Sequence, residues 1–174
     1  RVNDVVHIVN TFACMEKAGT LPNSLNGQDH SNRDTSDAPL WFSLVVEELG
    51  GGHLHKNIGD GRCLEEVLIS IGNGYRKGTT NGVHMDESSG LIWSPSHFTW
   101  MDTNYPAGTP REGYPIEIQA LWIRLLKHLH RLNPEGEWGD LAHRAAGSLN
   151  SLYGNQNDLW LSDCLHAKSG ITAI

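Results

Sequence analysis

The chain is short of positive charge: 13 lysines and arginines stand against 20 aspartates and glutamates in 174 residues, a formal net charge of -7. A nucleic-acid groove or an anionic membrane surface demands clustered basic side chains, so neither is expected as a partner. Long apolar runs are also missing. Nothing approaches the roughly 18 residues of a membrane-spanning helix, and no signal peptide is visible in a chain that opens on Arg1 rather than methionine. Cysteine is scarce and odd in number, with Cys14, Cys63 and Cys164 far apart in helical or apolar stretches. That pattern predicts buried, reduced thiols rather than a disulfide frame, and hence a reducing, cytoplasmic setting. No repeat recurs at a fixed period, which counts against a regular solenoid.

What is present is helical periodicity. Val2, Val5, Val6, Val9, Phe12 and Ala13 trace one face of a first helix, ended by Gly19. A polar, asparagine-rich connection over residues 20–35 follows, too long for a simple turn. A second helix runs from about Pro39 to Leu49 and is apolar nearly all round, as a deeply buried helix would be, until glycines 50–52 stop it. Leu64, Val67, Leu68, Ile71 and Tyr75 mark a third helix, closed by Gly78. Residues 83–85 and 91–93 flank a polar turn and read as a small β-hairpin. Ile118, Leu121, Leu125, Leu129 and Leu132 line a fourth helix; Trp138, Leu141, Ala142, Ala145, Leu149 and Leu152 line a fifth. The fold class expected is mainly α, one domain over residues 1–174 with a β-hairpin insertion.

The run of residues 94–118, S-P-S-H-F-T-W-M-D-T-N-Y-P-A-G-T-P-R-E-G-Y-P-I-E-I, holds an aromatic ring, three acids and an arginine on a Pro/Gly-stiffened loop before a strong helix. Such loops pack poorly and present polar groups to ligands. Trp100 beside Asp102 suits a sugar: the ring covers an apolar face and the carboxylate takes hydroxyls. Asp102 reads otherwise as a turn residue. Arg111 can hold Asp102 or Glu117 ionised by pairing, or be a solvated loop charge. Glu117, expected at the third helical position behind Pro115, is either a capping glutamate or a substrate-orienting group, and it is the local candidate for a base. Arg33 and Asp34 can line the same cleft or simply form a turn.

Asp37 stands before Ala38-Pro39 at the mouth of the second helix, where an N-cap aspartate is the plain reading and a proton donor the functional one. A helix N-terminus favours the ionised form, so the donor role calls for a closed cleft or a neighbouring carboxylate. Trp41 and Trp122 lie on helices and read as core. The pairs His53/His55 and His128/His130 tempt a metal reading, but on a helix that spacing turns the rings apart and nothing completes a tetrahedral set. Neither metal nor cofactor is expected.

L-P-N-S-L-N-G (from Leu21), D-T-S-D-A-P-L-W-F (to Phe42), D-E-S-S-G-L-I-W (from Asp86) and T-W-M-D…T-P-R-E-G-Y-P-I-E-I-Q-A-L-W (Thr99 to Trp122) together resemble the amylo-α-1,6-glucosidase family, the glucosidase half of glycogen debranching enzymes. The resemblance implies an (α/α)6 toroid that removes a terminal α-1,6-linked glucose from glycogen or a branched dextrin with inversion. Twelve helices would need over about 200 residues, so the chain reads as a section of such a toroid. Helices cut from a closed ring leave apolar edges, so a second copy or the remainder of a longer chain is expected against them. The family's acid, the aspartate of its D-A-x-x-W-F motif, falls on Asp37. Its base, a glutamate in a G-P-E-W-like motif, has no counterpart before Ile174. Alternatives are another toroid glycosidase, glucoamylase-like or trehalase-like, and a non-catalytic helical module that binds sugar or a protein surface.

Overall fold

The computed structural model describes residues 2–101, 110–154 and 160–173. In chain order the elements are α1 (Val2–Cys14), α2 (Ala38–Leu49), α3 (Leu64–Lys77), β1 (His84–Met85), β2 (Ile92–Trp93), β3 (Gly113–Pro115), α4 (Ile116–Leu132), α5 (Trp138–Leu152) and β4 (Cys164–His166). The five expected helices therefore all form, and one hydrophobic core runs beneath them.

Helix α4 is the member the others lean on, touching α2, α3, α5, β2 and β3. Its buried side chains include Ile118, Leu121, Trp122, Leu125, Leu126 and Leu129, the face that the apolar spacing marks out. Trp122 is fully buried and stacks on Tyr75 of α3 with ring centroids 5.9 Å apart. Its indole N–H donates to the Gly90 carbonyl at 3.0 Å, tying the hairpin turn to the helix. Gln119 is buried as well. Its amide accepts from the Ile92 N–H at 2.7 Å and donates to the Ile92 carbonyl at 2.9 Å, so a side chain supplies β2 with the partner a further strand would give.

Helix α3 starts from a reciprocal cap, in which Glu66 accepts the Cys63 N–H at 2.8 Å. Its first turn is acidic and its last turn basic, which suits the helix dipole. Strands β1 and β2 pair antiparallel, His84 opposite Trp93, around a turn whose Ser88 and Ser89 hydroxyls donate to Asp86. The pairing of β3 with β4, Gly113 opposite His166, was not expected. Three-residue strands far apart in sequence leave no period to detect. Gly113 also bridges to Ser94, so it joins both strand pairs. Its φ is 127°, and a Cβ there would meet the Leu165 carbonyl at 2.2 Å, so only glycine fits.

Three expectations need correction. Helix α2 is not buried all round: Trp41 is 49% exposed and Val45 38%, because only one side of the helix meets the core. On α1 only Val9 and Ala13 are buried; Val2 and Val5 face outward. The cysteines are free but not buried, with Cys14 exposed and Cys63 and Cys164 half-buried. Burial is enough to push the Cys164 thiol up to about 11. Among the described residues no helix is long and apolar enough to cross a membrane.

Two predictions follow from this packing. Gly113→Ala should lower stability by roughly 2–3 kcal/mol, through backbone strain and overlap with β4, seen as a drop in the thermal midpoint. The second concerns His128, buried on α4 with no partner for Nδ1 among the described residues. Burial holds its pKa below the ordinary 6.5, against the pull of Glu47 on α2 and with the push of Arg131 and Arg124. The unfolded chain therefore takes up this proton first. The contribution of His128 is complete above pH 6.5 and is lost as pH falls toward the folded value. His128→Leu should flatten the decline in urea-unfolding stability between about pH 7.5 and about pH 5 relative to the parent.

Candidate functional site

The T-S-D triplet at 35–37 is positioned by its middle residue. Ser36 is fully buried. Its N–H and its hydroxyl both donate to the Phe98 carbonyl, at 2.7 and 3.0 Å. The same hydroxyl meets the Ser94 hydroxyl at 2.8 Å, and the Ser36 carbonyl accepts the Tyr75 phenol at 2.7 Å. The stretch ahead of α2 and the start of the 94–118 run are thus sewn together. Burial raises the Tyr75 phenol well above its usual value, and the nearby Asp37 charge adds to the shift.

Asp37 follows directly, half-buried. It is not the cap that its sequence position suggests. Its side chain makes no capping bond; the Thr35 hydroxyl accepts the Ala38 N–H at 3.2 Å instead and donates to Asp37 Oδ1 at 2.7 Å. With capping assigned to Thr35, the carboxylate is oriented by one hydroxyl and faces a cavity of about 400 Å³. That volume lies within the ordinary range for small-molecule sites. Ile8 and Phe12 of α1 form one wall, Leu21 to Asn23 another, and Asp37, Trp41 and Val45 of α2 the third. Asp37 is the only acidic residue in its described lining, and Asn23 and Trp41 are the other lining residues with a polar group in the side chain.

Arg111 anchors a second cluster. It is 1% exposed, and every nitrogen of its guanidinium is engaged. Nη1 donates to Glu117 Oε1 and to the Thr99 hydroxyl (3.1 Å to the latter), and Nη2 donates to Glu117 Oε2 at 2.6 Å. Nε reaches Asp163 Oδ2 at 2.9 Å, and Nη2 also reaches Asp163 Oδ1 at 3.0 Å and its carbonyl at 3.2 Å. The hydrogen bonding of Arg111 to the Glu117 carboxylate is the largest influence on the guanidinium, and it raises its pKa further against the cost of burial. Of the two readings open for Arg111, ion pairing with Glu117 is the one found. Glu117 sits one place earlier in its helix than expected, because Pro115 is the N-cap. Both its oxygens lie on Arg111.

The loop between these points is pinched at its base. The His97 N–H donates to the Pro110 carbonyl at 2.9 Å, and His97 and Arg111 both take left-handed backbone angles, φ 63° and 52°. Such strain persists only where the surroundings over-determine it. Trp100 stands 71% exposed beside the buried Thr99. None of Trp100, Arg111 and Glu117 lines the Asp37 cavity. Asp102 lies outside the described residues. Arg33 donates to the Thr20 carbonyl and hydroxyl, both at 2.8 Å, and to the Met15 carbonyl at 2.7 Å, closing the end of α1. Asp34 is exposed in a turn, its N–H bound to Asn32 Oδ1 at 3.0 Å. Neither lines the cavity.

Two contributors were missed. Trp41 lines the site rather than the core, and Asn23 faces it from the long connection; α2's uniform apolarity concealed the first, and nothing in the sequence marked the second. Among the described residues no group of three or more His, Cys, Asp or Glu could hold a metal ion.

Comparison with known proteins adds one finding. The amylo-alpha-1,6-glucosidase family pattern matches residues 1–172. No individual curated protein matches the chain.

Arg111→Met should leave two carboxylates facing one another without their cation. Stability should fall by about 3 kcal/mol, read as a lower urea midpoint. Arg111→Lys should recover only part, since an ammonium cannot form the two-pronged contact.

Proposed function

Because the chain belongs to the amylo-alpha-1,6-glucosidase family, we propose that it is a section of an (α/α)6 toroid that hydrolyses terminal α-1,6-linked glucose on a branched glucan, with Asp37 as the proton donor. The observation that carries this reading is Asp37, released from capping by Thr35 and lining a cavity of about 400 Å³.

The chemistry needs two groups. A protonated Asp37 gives its proton to the glycosidic oxygen as the C1–O bond breaks. Water attacks C1 from the opposite face and loses its proton to a second carboxylate roughly 6.5–9.5 Å away, with inversion. Glu117 is poorly suited to be that base, since Arg111 engages both its oxygens. Its role is to fix the start of α4 and, through Arg111 and Thr99, the base of the Trp100 loop. The second carboxylate comes from outside the described lining of the cavity.

That same gap favours a second reading, a sugar-binding module that does not turn over. The free thiols suit a reducing compartment such as the cytoplasm. The outward Val2 and Val5 of α1 suit packing against further helices, from a second copy or more of the same chain.

Asp37→Asn should lower the release of glucose from a branched dextrin by roughly two to four orders of magnitude while leaving dextrin binding intact. The parent should show a bell-shaped pH profile whose acid limb is retained and whose alkaline limb is lost in the variant. Unchanged hydrolysis would remove Asp37 from the mechanism. Binding without hydrolysis in both proteins would favour the module.

A further inference from the structure

We infer that Thr35 is the positioning residue of the site: its hydroxyl holds Asp37 by Oδ1 and leaves Oδ2 as the oxygen that carries and delivers the proton. This rests on the reading of Asp37 as the acid and adds to it which of the two oxygens acts.

Thr35 is 2% exposed, and its hydroxyl makes two contacts among the described residues. The Ala38 N–H can only donate, so at 3.2 Å it takes up a lone pair of that hydroxyl. The single hydroxyl proton then needs an acceptor of its own, since a buried donor left unpaired is costly. Asp37 Oδ1, at 2.7 Å, is the acceptor that the structure provides. Oδ1 therefore accepts whether Asp37 is charged or neutral. A proton on Asp37 belongs on Oδ2, which takes no hydrogen bond from the described residues.

Thr35 is itself held from behind. Its N–H donates to the Arg33 carbonyl at 2.8 Å, and the Asn81 amide donates to the Arg33 and Thr35 carbonyls at 2.6 and 3.3 Å. The Thr79 hydroxyl donates to Asn81 Oδ1 at 2.5 Å and fixes that amide in turn. The segment following α3 thus braces Thr35, while Ser36 next to it is fastened to Phe98. Thr35 does not line the cavity, so it acts through Asp37 and not on the ligand. In the step itself the Oδ2–H bond breaks and its proton passes to the glycosidic oxygen. The electron pair of the C1–O bond leaves with that oxygen, and water adds to C1, giving its proton to the second carboxylate. Asp37 is left ionised, and the Thr35 hydroxyl, already directed at Oδ1, stabilises the new charge without moving.

The test compares Thr35→Val and Thr35→Ser with the parent on a dextrin bearing single α-1,6-linked glucosyl stubs, well below every thermal midpoint. Thr35→Val should lower kcat roughly ten- to a hundred-fold with KM close to that of the parent. Thr35→Ser should restore most of the loss. The Asp37 carboxyl, followed by NMR of its labelled carbon, should titrate at higher pH in Thr35→Val, because the ionised form has lost a donor. A lower thermal midpoint with kcat and that titration unchanged would make Thr35 a cap alone, and would overturn this inference while the Asp37 reading stands. A Thr35→Ser protein no faster than Thr35→Val would overturn it too. Absence of hydrolysis by the parent would sink the glucosidase reading, and this inference with it.

Discussion

The hydrogen bonds around Ser36 are the constraint on which the site depends. A fully buried serine brings its N–H, its carbonyl and its hydroxyl into a region without water, where each would be costly if left unpaired. The Phe98 carbonyl, the Ser94 hydroxyl and the Tyr75 phenol satisfy them all. Tyr75 in turn stacks on Trp122 at the centre of α4. A line of contacts thus runs from the middle of the core to the residue before Asp37. The carboxylate can be half-exposed and still held, because its neighbour is not free to move.

Asp37 and Arg111 occupy comparable places, each at an end of a long polar stretch, and their fates are opposite. Arg111 is a permanent cation in a buried position, tolerable only because Glu117, Asp163 and Thr99 surround it. Once so surrounded, each nitrogen of its guanidinium is already hydrogen-bonded within the protein. Asp37 has its capping task taken by Thr35, and Asp37 lines the cavity between α1 and α2. The described ends of the 94–118 run, through Phe98 and Arg111, join α4 to the segment leading into β4 and to the stretch before α2. The cavity itself belongs to α1, α2 and the connection between them.

Much of the fold was legible. All five helices and the hairpin lie where the spacing of Val67, Leu68 and Ile71, or of Leu121, Leu125 and Leu129, puts them. What escaped was contributed by pairs distant in sequence: Gly113 with His166, Gln119 with Ile92, Arg111 with Asp163. The exposure of Trp41 also escaped. A helix rich in apolar residues reads the same whether its second side meets a core or a cavity.

The sequence by itself determined which stretches form helices, and which acid precedes an apolar helix, because hydrophobic periodicity acts within a few residues. It also carried the family, since the motifs around Asp37 and Arg111 are linear. Which carboxylate stays free and which is neutralised was decided only by the tertiary structure. That outcome depends on which donors gather around each oxygen: the Thr35 hydroxyl on Asp37, and the Arg111 guanidinium on both Glu117 and Asp163, the latter 52 residues away along the chain.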